Sequence, residues 1–291
     1  MTNPLSPLFG PAGNSDSFRE SGLKHTYQAF AGLAEMGLTA YEYSAGHGVS
    51  GSTETFAKIG EEAAKHGIKL SFHAPYYISL SSPDPAIRAR SIGHIGKSLA
   101  AAEAMGADII VIHPGGTAVG RDEAMHLTKE TLLAAIDRHR DTAPHIRLGI
   151  ETMGKQGLLG TLDEVLEICC IHPRLAPVVD FGHMWARQCG ETLLTEADFE
   201  AVFDAISAGL GAGVAQNLHC HFSKIEFTTA GEKKHVRFCD QGYGPDPRLL
   251  MNVIARRGLT PRIICESAGT QAEDAVMMRE MWMQGARAMK N

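Results

Sequence analysis

The sequence predicts a single-domain (β/α)8 TIM barrel over residues 1–291. Three observations carry that expectation. Eight short apolar runs occur along the chain, and each is followed by a stretch with helical patterning. Most of the runs are continuously apolar rather than alternating, as parallel strands covered on both faces should be. A doubly wound open sheet is the alternative. It is disfavoured because Phe9-Gly10-Pro11-Ala12-Gly13, at the first run, does not match Gly-x-Gly-x-x-Gly.

The strands are expected at residues 8–12, 38–45, 69–75, 108–115, 147–153, 175–183, 217–224 and 262–268. The helices are expected at 24–36, 53–66, 86–105, 121–140, 161–170, 195–210, 246–257 and 270–289. Gly37, Gly67, Gly106 and Gly258 stand where helices should stop. Thr161 with Glu164, Thr195 with Asp198, and Thr270 with Glu273 have the spacing of capping boxes. Residues 225–247 read as one long irregular stretch after the seventh strand, and loops of that length usually serve function.

Composition narrows the class. Lys plus Arg is 27 and Asp plus Glu is 33, a formal charge of −6, which argues mildly against a nucleic-acid partner. Apolar residues are 44% and charged residues 21%, which excludes general disorder. No run of 18 or more apolar residues suggests a membrane span, and residues 1–10 lack the basic and apolar regions of a secretory signal. Six cysteines without a Cys-x-x-Cys pair read as reduced, mostly buried thiols in a cytoplasm. The 14 histidines stand out, because histidine is the commonest metal ligand.

The histidines and carboxylates recur at strand ends. The second run contains Glu42, the third His73, the fourth His113, the fifth Glu151, and the sixth Asp180 and His183. The seventh holds His219 and His221, and the eighth Glu266. In a TIM barrel these ends converge on one mouth. Several carboxylates buried together are costly unless cations neutralise them. Imidazole and carboxylate together suit zinc, manganese or iron, and there are too many ligands here for one tetrahedral ion.

In combination, the segments FHAPYYISL, VIHPGG, IETMGKQG, VVDFGH, HCHFSK and ICES resemble the endonuclease IV family of apurinic/apyrimidinic endonucleases, within the xylose-isomerase-like TIM barrels. The chain looks most like the branch that opens with FGPAG, as residues 9–13 do. The resemblance implies zinc, as two or three ions, with manganese or iron as alternatives. His73 and His113 would hold the first ion, and Glu151 would bridge to the second. Asp180, a histidine of the seventh strand and Glu266 would complete the second, and His183 would join an Asp-x-His pair on the third. HCHFSK fits the family's H-x-N-D-x-K with His219 as the ligand; His221 then takes the asparagine position but lies on the same strand face. His235 matches the family histidine of the third site, whereas Lys233 stands where the family has aspartate and Glu232 is one residue away. Glu42, Glu232 and Lys233 are the outer candidates.

The implied activity is cleavage of DNA 5′ to abasic sites by metal-activated water. Glu151, His183, His235 and Tyr76 would be the functional set, with Tyr76 against the DNA strand. Lys155, Arg187, Lys224, Lys233, Lys234 and Arg237 are the cations available in the mouth loops. The alternative is a sugar isomerase or epimerase acting on a small sugar or sugar phosphate. It would use Glu151, Asp180, His219 or His221, and Glu266 on one metal, and would leave His73 plus His113 unexplained. Neither reading implies a membrane or an obligate protein partner.

Overall fold

The structure is a computed structural model that describes residues 6–289. Residues 1–5, part of the N-terminal stretch read above, and residues 290–291 lie outside the described residues. The strands are β1 (Leu8–Pro11), β2 (Ala40–Ser44), β3 (Lys69–His73), β4 (Ile109–Ile112), β5 (Arg147–Glu151), β6 (Leu175–Asp180), β7 (His219–Phe222), β8 (Lys224–Thr228), β9 (Gly231–Val236) and β10 (Arg262–Cys265). Eight of them form one sheet in the order β1-β10-β7-β6-β5-β4-β3-β2, and every neighbouring pair is parallel. β1 and β2 close it into a barrel: Thr39 N donates to Phe9 O and Gly13 N to Glu42 O, both at 2.9 Å. The expected TIM barrel is therefore the fold.

The helices lie where helical patterning put them, with informative differences at their ends. The Thr161–Glu164 and Thr195–Asp198 boxes both form, each satisfying two otherwise unpaired N–H groups at a helix start. The box at Thr270 does not. Ser15 Oγ accepts the Ala272 N–H at 2.8 Å instead, and Asp274 takes the Thr270 hydroxyl at 3.0 Å. The first helix begins as a 3-10 turn at Thr26–Gln28, and an additional short helix, Asp16–Glu20, follows β1.

Two corrections bear on the site. The sixth strand stops at Asp180 rather than running to residue 183, because Asp180 caps the helix Phe181–Arg187 by accepting the His183 N–H at 2.7 Å. His183 therefore belongs to a helix, one turn above the strand. Residues 225–247 are not wholly irregular, since β8 and β9 pair there as an antiparallel hairpin. All six cysteines are free, as expected, but only Cys169, Cys220 and Cys265 are buried. No helix among the described residues is long and apolar enough to cross a membrane.

The main core lies between barrel and helices, with Phe9, Phe30, Phe72, Phe181, Phe199 and Phe203 buried in it. A separate small cluster of Ile109, Val111, Ala176 and Val178 fills part of the barrel lumen. Gly149 of β5 faces this cluster. A Cβ there would stand 2.6 Å from Val178 Cγ2 and 2.9 Å from Ile109 Cδ1, so the packing admits no side chain. Two residues further along β4, β5 and β6 come His113, Glu151 and Asp180, because side chains two apart share a strand face.

Candidate metal centre

Glu151 sits at the middle of the mouth and is fully buried. Its Oε2 lies 3.1 Å from His113 Nε2 and 3.4 Å from His73 Nε2. Its Oε1 lies 2.9 Å from His221 Nδ1 and 3.6 Å from His183 Nδ1. Each carboxylate oxygen thus faces its own set of imidazoles. Glu266 Oε1 is 3.4 Å from His221 Nδ1, and Asp180 Oδ2 is 3.4 Å from His183 Nδ1.

The separations at His73, His113 and His221 suit metal ligation, whereas the two at His183 involve Nδ1, which faces Thr152 O. Ligands about 2.0–2.1 Å from a tetrahedral zinc stand roughly 3.3 Å apart. Asp180 Oδ2 is buried and has no hydrogen-bond partner, a costly state for a carboxylate oxygen that a cation would relieve. Backbone carbonyls also orient the rings. His73 Nδ1 is 2.9 Å from Ala74 O and His183 Nδ1 is 2.9 Å from Thr152 O, so the Nδ1–H donates and Nε2 is free to ligate. The residues present fit divalent ions.

The electrostatics point the same way. Burial alone would raise the Glu151 carboxyl, but the imidazoles around it, His221 first, hold it well below the usual carboxylate range. Burial also opposes charge on His73 and His183, yet neighbouring carboxylates win and push both up to about 9. Glu266 is raised, because its burial outweighs the help of His221 and His235. This is a cluster of opposite charges short of cations.

On β7 the geometry separates two residues that the motif could not. His221 pairs in register with Asp180 of β6, whereas His219 pairs with Val178 one step lower. His221 therefore faces Glu151 and Glu266. His219 Nε2 instead contacts Glu42 Oε2 at 3.0 Å, and burial brings that ring down to about 4. The structure thus brings His221 beside Glu151 and Glu266, and sets His219, the residue that fits the motif, against Glu42.

The hairpin settles which acid faces the third group. β8 and β9 pair Ile225 with His235 and Phe227 with Glu232, with a register shift between Glu226 and Phe227. Lys233 is the extra residue of a β-bulge. In a regular strand Glu232 and His235, three apart, would sit on opposite faces; the bulge puts them on one. Glu232 lies 3.5 Å from His183 Nε2 through Oε2 and 3.8 Å from His235 Nε2 through Oε1. Lys233 turns outward to Glu226 at 2.6 Å. Of the outer candidates, Lys233 is thus absent from the site and Glu232 is inside it.

Most mouth-loop cations are otherwise engaged. Lys224 donates to Phe238 O, Lys234 pairs with Glu226, and Arg237 pairs with Asp240. Arg187 is buried and donates to Met153 O, Lys155 O and Leu158 O at 3.1, 2.6 and 3.0 Å. Arg121 adds a bond to Leu158 O at 3.1 Å while paired with Glu164. Two guanidinium groups thus pin the loop of residues 153–158, against which the hairpin docks through Glu232 N to Gly154 O at 3.0 Å. Lys155 is the only lysine or arginine lining the cleft among the described residues, and Tyr76, 58% exposed, stands at its rim. The cleft holds about 440 Å³.

Three contributors escaped the sequence reading: Thr152, whose carbonyl orients His183; Ser223, whose buried Oγ is 2.8 Å from His235 Nδ1; and Arg121. Thr152 and Ser223 lie within two residues of expected ligands, and that proximity was the only signal for them.

Residues 30–291 match the family model described as xylose isomerase-like TIM barrel. An uncharacterised protein of Methanocaldococcus jannaschii is 25% identical over 96% of this chain and 98% of its own length. A probable endonuclease 4 of Streptomyces coelicolor is 27% identical over 75% of this chain and 76% of its own. Among solved structures, endonuclease IV from Thermus thermophilus superposes with a TM-score of 0.70 at 19% identity, covering 96% of this chain and 99% of that one. A D-tagatose 3-epimerase-like protein gives a TM-score of 0.66 at 17% identity, covering 97% and 100%. Sequence match and barrel architecture agree, and the chain belongs to the xylose isomerase-like TIM barrel family.

Proposed function

We propose that the protein is a metal-dependent phosphodiesterase resembling endonuclease IV, with DNA containing abasic sites as its substrate and zinc as its ion. The observation that carries this reading is Glu151, whose Oε2 faces His113 and His73 at 3.1 and 3.4 Å while its Oε1 faces His221 at 2.9 Å. A carboxylate so placed is suited to bridging two ions. Paired divalent ions, when bound, lower the pKa of a water and polarise a phosphate.

The chain's own residues then have distinct tasks. His73 and His113 hold one side of the centre; Asp180, His221 and Glu266 hold the other. His183, Glu232 and His235 form a third ligand group on the hairpin side, next to the leaving oxygen in this reading. Tyr76 presents an exposed ring at the rim for contact with the DNA strand, and Lys155 supplies the positive charge for a phosphate.

A ketose epimerase is the second reading, supported by the scarcity of cations in the cleft, where Lys155 is the one lining lysine or arginine among the described residues, which suits a small neutral sugar better than a duplex. The two are separated by one comparison on untagged protein. Metal per chain is measured, and the protein is incubated with an abasic-site duplex, an intact duplex and a ketohexose. The expected result is two or three ions and cleavage of the abasic duplex alone. One ion with turnover of the ketohexose would replace the phosphodiesterase reading with the epimerase one.

A further inference from the structure

Beneath the ligands, inside the barrel, Glu42 of β2 is fully buried. Among the described residues, no lysine or arginine approaches it within ion-pair distance; its charged-group neighbours are two histidines. Oε2 accepts from His219 Nε2 at 3.0 Å. Oε1 lies 2.9 Å from His221 Nε2, bent out of line with the ring N–H in the structure. His221 thus stands between Glu42 below and Glu151 and Glu266 above.

We infer that Glu42 is a positioning residue: it holds the Nε2 proton of His221 and so turns the Nδ1 lone pair to the metal centre, with His219 as its second partner. This rests on the metal-centre reading above. An isolated buried carboxylate is costly, and two ring N–H groups are what is available to answer it. An ionised carboxylate only accepts, so both rings must carry hydrogen on Nε2. His221 is left with Nδ1 as its ligating atom, 2.9 Å from Glu151 Oε1 and 3.4 Å from Glu266 Oε1. Such carboxylate–histidine pairs fix tautomer and ring orientation at metal sites. In this inference the cluster supports the centre from below.

Glutamine at residue 42 keeps the shape but offers one acceptor and one donor, so one of the two rings must change tautomer. The test titrates Co2+ into the metal-free wild type, Glu42→Gln, His219→Gln and His221→Ala proteins, reading the visible ligand-field spectrum, ions per chain and thermal melting. Glu42→Gln is expected to lose about 10–100-fold in affinity for one ion, with an altered spectrum. His219→Gln, which can still donate to Glu42, is expected to keep the ion count, and His221→Ala to lose an ion. Wild-type affinity and spectrum in Glu42→Gln would overturn the inference, as would loss of the same ion in His219→Gln. A wild type that takes up no metal would sink the metal-centre reading itself. Should Glu42→Gln not fold, long-range 1H–15N spectra of the zinc-loaded wild type decide: His221 with Nε2–H supports the inference, and His221 bound to metal through Nε2 refutes it.

Discussion

The two walls of the barrel lumen are built on opposite principles. Toward β4, β5 and β6 the lower lumen is apolar: Ile109, Val111, Ala176 and Val178 pack around Gly149. Toward β2, β3 and β7 it is polar, with Glu42, Ser71, His219 and His221 all buried. The apolar wall is governed by volume, where a single added carbon is felt. The polar wall is governed by proton positions, where each group needs a partner. TIM barrel interiors are normally filled by branched apolar residues, so the wall that departs from that rule is the one tied to chemistry.

Four substitutions test how separate the walls are. Glu151→Gln strikes where the ligand sets meet, and is expected to abolish bound ions and lower hydrolysis by roughly 10²–10⁴-fold, read by metal analysis and single-turnover cleavage. Retained metal and rate would show that Glu151 joins nothing. Gly149→Ala strikes the apolar wall. Overpacking against Val178 and Ile109 should destabilise the fold by about 1–3 kcal/mol, seen as a lower melting temperature with ion count unchanged. Lost ions in that variant would mean that the walls are coupled. The smallest effect is expected outside both: Lys233→Ala should leave metal content and melting temperature unaltered, since the side chain faces Glu226 in solvent, whereas Glu232→Ala should lose the weakest ion. Equal behaviour of these two variants would refute the inward role given to Glu232.

The same contrast explains how much was legible beforehand. The barrel and its ligand-bearing strands follow from local patterns: apolar runs, helix stops and acids or imidazoles at strand ends. His73, His113, Glu151, Asp180 and Glu266 needed only a strand and its direction. His219 and His221 share a strand face, and what separates them is the register against β6, which depends on two segments distant in the chain. Glu42 likewise reads as one acid among several until β7 is placed opposite it. The hairpin was illegible because its key feature is an irregularity, and a period-two pattern carries no mark of an extra residue.

That irregularity has a consequence for how such a site can change. Glu232 and His235 face inward together because one residue, Lys233, is looped out between them. Deleting that residue would leave the pair two apart and still in phase, whereas inserting one further residue between them would put them out of phase and swing one of the pair into solvent. The set of acids and imidazoles gathered above this barrel is thus open to insertions in a hairpin, while the barrel strands that carry the others stay untouched.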